Sequence, residues 1–242
     1  MKSILTMAWT AEDPSAFDLA AKLARTFDAK LVGLEPPSYG VMSMAWADAG
    51  MGAPIGGGLA EDAEERQRVA AMIKPNQTVA VFFSGVGPYP ITLARHTKVK
   101  KVYALEWNPA AKPFLEENMR LNKVEGKIIP LWGDVEKIRI PQKVDHVVMP
   151  APETALGHLW RALEWCRPKG MVHLYLFLDS TNPSRQLKSI LGEHIPPNYT
   201  WKQVFARKVS DFSPRKQQWC VGVQLISSKK ASIKKSKKKG KA

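Results

Sequence analysis

From Thr78 onward, short apolar runs alternate with helical stretches, and this alternation confines the chain to few architectures. Thr78–Phe83, Lys101–Glu106, Lys127–Trp132, His146–Met149 and Met171–Leu178 read as strands. Ile91–His96, Ala110–Asn122 and Thr154–Cys166 between them read as helices. Apolar strands separated by helices form a parallel sheet covered on both faces. Ser184–Leu191 is expected as a further helix, and Trp201–Lys208 with Gln217–Ile226 as an antiparallel pair at the sheet edge. The expected fold class is α/β, with a Rossmann-like, mostly parallel sheet.

Open sheets of this kind bind ligands where the strands end, and three strand ends carry suitable residues. Phe83, Ser84, Gly85, Val86 and Gly87 follow the first of these strands as a GxG turn. Glycines there let the backbone approach a ligand, although a tight strand-to-helix turn needs no ligand. Glu106 ends the next strand and is followed by Trp107. A carboxylate at this position can accept both hydroxyl protons of a ribose, or simply cap the helix that Pro109 starts. Gly133 and Asp134 end the third strand, where an acid can accept from the exocyclic amine of an adenine. Three strand ends facing one crevice point to an adenosine-containing cofactor. Without a full GxGxxG to cradle a pyrophosphate, S-adenosylmethionine is favoured over a dinucleotide.

Several segments then carry a family resemblance: Glu65-Arg66-Gln67-Arg68-Val69-Ala70, the turn Phe83–Tyr89, Tyr103–Pro109, Glu116-Glu117-Asn118, Leu121–Val124 and Gly133-Asp134-Val135. Gly170–His173, Arg207-Lys208-Val209 and Phe212–Arg215 continue it. The stretch from about Glu64 to Ile226 resembles the archaeal and eukaryotic tRNA (guanine-37, N1)-methyltransferases and their relative, the aminocarboxypropyl transferase of wybutosine synthesis. The resemblance implies a class I methyltransferase sheet, S-adenosyl-L-methionine as cofactor and tRNA as partner. It implies that Glu106 and Trp107 hold the ribose and adenine face, Gly133 and Asp134 the adenine edge, and Ser84–Gly87 the methionine end.

Three departures stand against the family pattern. Val81 occupies a strand position where the family has Asp. Pro150, Ala151 and Pro152 occupy the catalytic segment that is Asn-Leu-Pro in the family. Proline offers neither the amide side chain nor a backbone N–H. The family's N-terminal RNA-contacting domain is replaced by residues 1–60, which read as a small β-α-β appendage with a Gly/Pro-rich linker, faintly like a universal stress protein. Three readings stay open: methyl transfer to a purine ring nitrogen of tRNA, aminocarboxypropyl transfer, and a degenerate cofactor- or RNA-binding protein.

The charge balance suits either a solubilising tail or non-specific contact with phosphates. The 242 residues carry a formal +14, of which eight Lys lie in Ser227–Ala242, leaving +6 on the rest. That Lys/Ser/Gly tail is expected to be disordered, leaving residues 61–226 as the methyltransferase domain. Arg207-Lys208 and Arg215-Lys216 read as an RNA-facing patch or as a solvated edge. His173 in an apolar strand reads as a core histidine, and Asp179 as a crevice acid or a helix cap. Five His and two Cys, Cys166 and Cys220, offer no metal constellation. No apolar run reaches the length of a membrane helix and no leader-like segment opens the chain, so a cytoplasmic monomer is expected.

Overall fold

The computed structural model describes residues 4–8, 30–34 and 57–228. The helix of the expected β-α-β appendage, the Gly/Pro-rich linker up to residue 56 and the tail from residue 229 lie outside the described residues. Strands β1 (Ile4–Ala8) and β2 (Lys30–Leu34) pair in parallel, as two strands of a β-α-β unit do.

The main unit runs α1 (Gly57–Ala71), β3 (Thr78–Val81), α2 (Pro88–His96), β4 (Lys101–Glu106), α3 (Lys112–Leu121), β5 (Ile128–Trp132) and β6 (Val144–Met149). It continues with α4 (Leu159–Trp165), β7 (Cys166–Asp179), α5 (Pro183–His194), β8 (Tyr199–Ser213) and β9 (Lys216–Ser228). The seven strands lie in the order β5-β4-β3-β6-β7-β9-β8. All neighbours are parallel except β9, which runs antiparallel to both β7 and β8. The expected edge pair is thus present, with the reversed strand second from the edge.

The period of two along each strand divides the core into two layers. Val79, Val81, Val102 and Ala104 face α1, α2 and α3, packing with Val69, Leu93 and Leu115. Ala80, Tyr103, Leu105, Val147 and Met149 face the other way, onto Leu159 and Leu163 of α4 and Leu187 and Leu191 of α5. Proline at the first turn starts three of these helices, because its missing N–H has no helical partner there anyway. Asn182 caps α5, its side chain accepting from the Arg185 amide.

The differences from the expected elements are local. β3 stops at Val81, two residues early, because Phe83 turns into positive φ. Cys166 begins β7 and does not end α4, since it pairs with Val144 of β6. Ser227 and Ser228 still pair with Thr200 and Tyr199, so the strand runs past the expected start of the tail.

Candidate functional site

β3 is the switch point of the sheet: β4 and β5 lie on one side of it, β6 and β7 on the other. The ends of β3, β4, β5 and β6 therefore open on one edge, at Val81, Glu106, Trp132 and Met149. The turn after β3 is slung between its two neighbours. Phe82 N donates to Val148 O at 2.9 Å, and Ser84 N to Leu105 O at 2.8 Å. Crossing that gap forces Phe83 to φ 54°, a conformation that costs an aromatic residue of order ~1–3 kcal/mol.

The two glycines of the turn serve different ends. Gly85 has φ +52°, and a Cβ there would meet nothing within 4 Å. Gly87 has φ +97°, and a Cβ there would fall 2.5 Å from Leu115 Cδ1 of α3. Gly87 is therefore required by its left-handed backbone, with Leu115 packed close against it, while Gly85 leaves open space above the backbone. Val86 between them is buried with Ala111, against Phe114 and Trp132. Its carbonyl accepts from the buried Asn118 Nδ2 at 3.1 Å.

Glu106 joins the strand ends. Its Oε2 accepts from Gly85 N at 2.7 Å, and its Oε1 from Trp107 N at 3.0 Å and Asn108 N at 2.9 Å. A carboxylate has about four acceptor directions, so roughly one remains for a ligand. The sequence reading gives Glu106 a ribose or a helix cap to hold; the fold also uses it to weld the glycine turn to β4. Gly133 N donates to Glu106 O at 2.8 Å, which brings the third strand end alongside. Asp134 is half-exposed, and its carboxyl is held below the usual range by the Glu136 amide at 2.9 Å and then by Lys137. Trp107 is 71% exposed, unusual for an indole, at the rim. Ser84 is buried, yet its Oγ has no hydrogen-bond partner.

These features test the fit of the cofactor. A buried hydroxyl without a partner, an uncovered Gly85 backbone, residual capacity on Glu106 and an exposed indole share one rim. Such a set suits a nucleoside, which offers hydroxyls, a flat base and a polar tail.

The loop after β6 is different. Pro150, Ala151 and Pro152 present no side-chain hydrogen-bonding group, and the Ala151 carbonyl is taken by Thr154 N at 3.1 Å and Ala155 N at 2.8 Å. The loop leads into a 3-10 turn at Ala155–His158, where the His158 ring lies 5.5 Å from that of Phe83. His158 Nδ1 is 3.4 Å from Glu136 Oε1, an ion-pair distance without a hydrogen bond.

The basic positions separate. Arg207 is not an open RNA contact: it forms a two-point pair with the buried Glu65 at 2.6 and 3.2 Å and stacks over Phe205 at 3.9 Å. Lys208 pairs with Asp211 at 2.7 Å. Arg215 and Lys216 are exposed at the β8–β9 hairpin tip, with the Lys216 ammonium over Phe177 and Phe212. This tip bonds to Ser180 just past β7, so it lies on the same edge as the crevice. Asp179 is turned into its own loop by Thr181, whose hydroxyl holds its carboxyl below the usual range.

Titratable groups away from the rim serve the core. His173 is fully buried and its pKa is pushed well down by burial. Burial, then the Glu65 charge, pushes the Cys220 thiol well up; burial pushes Cys166 up to about 12. Neither cysteine is a ready nucleophile, since the thiolate is the reactive form. Sequence reasoning missed the Glu65–Arg207 pair and the hydrogen bond between Tyr89 and Tyr175. Each joins residues far apart in the chain, with no local pattern to announce it.

Comparison with known proteins gives this geometry its context. A protein of Pyrococcus abyssi, the tRNA (guanine(37)-N(1))-methyltransferase Trm5b, is 34% identical over 155 residues, covering 58% of this chain and 46% of that protein. The tRNA(Phe) (4-demethylwyosine(37)-C(7)) aminocarboxypropyltransferase of Methanocaldococcus jannaschii is 34% identical over 112 residues, covering 46% of this chain and 45% of that one. The chain thus spans a little under half the length of these curated relatives. The crystal structure of M. jannaschii TYW2 in complex with AdoMet superposes with a TM-score of 0.60 at 27% identity, covering 68% of this chain and 75% of that one. The family model of the TRM5/TYW2 methyltransferase domain matches residues 60–194, from within α1 to the last residue of α5. That match takes in more than half of the chain and every strand end that shapes the crevice, and the chain belongs to the TRM5/TYW2 methyltransferase domain family.

Proposed function

We propose that the chain binds S-adenosylmethionine at this rim and methylates a purine ring nitrogen of tRNA, guanine-37 N1 by family likeness. The observation that carries the reading is the buried, partnerless Ser84 hydroxyl beside Gly85 and Glu106 at the switch point. Glu106 would hold the ribose, Trp107 would cover the adenine face, and Asp134 would meet its edge. S-adenosylmethionine would supply the activated methyl group. The protein would contribute alignment of the acceptor, which is the main lever in an in-line displacement. Arg215 and Lys216, on the same edge, would meet RNA phosphates.

Aminocarboxypropyl transfer is the second reading. The likeness to the M. jannaschii aminocarboxypropyltransferase, 34% identical over 112 residues, supports it; the same cofactor would then react through its methionine tail. Incubation with tRNA and S-adenosylmethionine labelled separately in the methyl and carboxypropyl carbons decides between them by nucleoside mass spectrometry. Methyl label in a purine is expected; carboxypropyl label establishes the second reading, and no label in any nucleoside overturns both. Calorimetry should show Glu106→Ala weakening the cofactor by about 1.5–3 kcal/mol, the worth of charge-assisted hydrogen bonds.

A further inference from the structure

Arg161 is the only cation among the fully buried large side chains of the described residues, and it lies behind the strand-end rim. It lies in α4, 2% exposed. Its Nε donates to Val135 O at 3.2 Å and its Nη2 to Ile138 O at 2.6 Å. Its third nitrogen pairs with the half-exposed Glu164. The guanidinium also lies 5.4 Å from the Trp165 ring and 5.6 Å from that of Trp160. A buried guanidinium left unpaired is strongly destabilising, so these acceptors fix its position.

What it grips is the segment that begins with Asp134. That segment is a tight turn: Asp134 O accepts from Lys137 N at 2.9 Å and Ile138 N at 3.0 Å, and its carboxylate accepts from Glu136 N. Arg161 binds carbonyls at both ends of this turn. Three residues earlier, His158 reaches Glu136 of the same turn and the Phe83 ring of the glycine turn. The beginning of α4 thus ties the two turns together from below.

We infer that Arg161 is a positioning residue for adenine recognition: it sets where the Asp134 carboxylate stands relative to the 6-amino group of the base. This rests on the proposed function, which gives Asp134 to the adenine edge. Arginine suits the task better than lysine, because its planar fork reaches two carbonyls at once while an ammonium is a point charge.

The test compares calorimetric affinities for S-adenosylhomocysteine and S-inosylhomocysteine, which differ in the 6-substituent of the base. The wild type should prefer the adenosine compound by roughly ten-fold or more, as expected for a charge-assisted hydrogen bond. Arg161→Lys should reduce that preference towards one by weakening the adenosine compound alone. Loss of stability with the preference intact would mark Arg161 as a purely structural residue and overturn the inference. Glu164→Ala removes the surface carboxylate that orients the guanidinium and serves if Arg161→Lys does not fold. It should lower the preference about three-fold, within the range of a partly exposed ion pair. An unchanged preference in every folded variant overturns the inference while leaving the proposed function standing. A wild type that binds neither compound overturns the proposed function itself, and this inference with it.

Discussion

The two edges of the same sheet treat their polar groups in opposite ways. At the amino edge, Thr78, Asp145, Gln77 and His146 are closed on protein partners. Asp145 accepts from Thr78 N at 2.8 Å and Thr78 Oγ1 at 3.2 Å, and its other oxygen meets Arg167 at 3.0 Å. Lys74 N donates to Gln77 Oε1, which also faces His146 Nε2 at 3.1 Å; His146 Nδ1 faces His173 Nε2 at 3.0 Å. Because Gln77 Oε1 can only accept, His146 must carry its proton on Nε2. His146 Nδ1 is then an acceptor, and His173 must carry its proton on Nε2 as well. That leaves His173 Nδ1 as the single open acceptor. At the carboxyl edge, Ser84 Oγ is left open, Gly85 is uncovered and Trp107 stands in solvent. One edge is closed by the protein; the other keeps unspent capacity.

Acidification should strike the closed edge hardest. Burial lowers His146 to about 4 and His173 in the same direction, below the ~6.5 of an unfolded chain. Between those values the unfolded state binds more protons, so stability is full above pH ~6.5 and is lost as pH falls towards 4. The His146 shift alone is worth about 3 kcal/mol at the acid end. Denaturant titrations from pH 7 to pH 4 measure it. A flat profile would mean that these rings are hydrated and that the amino edge is not closed.

Asp145→Ala should come next, at about 2–3 kcal/mol of stability, because it strands the Thr78 amide and hydroxyl. Cofactor affinity of the folded fraction should not change. If calorimetry shows the affinity falling too, the edges are coupled through β3 and the contrast between them is weaker than drawn.

Trp107→Ala is the mirror experiment. The side chain is too exposed to matter to folding, so the unfolding midpoint should stay put. Affinity for S-adenosylhomocysteine should fall by about 1–2 kcal/mol, towards the lower end of what an aromatic–base stack contributes. A stabilised but equally tight-binding variant would show the indole to be a bystander on the rim.

Local chemistry made much of this legible in advance. The alternation of apolar runs gave the strands because a strand buried on both faces leaves no other pattern, and Lys101–Glu106 has the same bounds in the structure. Gly85, Glu106 and Asp134 could be placed at or just past strand ends, because strand-to-helix turns there favour small and acidic residues. The strand order was not legible, since any permutation of parallel strands obeys the same pattern. Nor was the pairing of Arg207, which reads as a surface cation until Glu65, 142 residues away, is folded against it.

The sequence by itself therefore determined which segments become strands and which residues follow close on their ends, because burial and turn chemistry act over a few neighbours. Only the tertiary structure decided what those residues spend their bonds on. Glu106 gives most of its acceptors to the backbone, Gly87 makes room for Leu115, and Arg161 holds two carbonyls of a distant turn. Such assignments depend on distances between segments far apart in the chain, and no local pattern carries them.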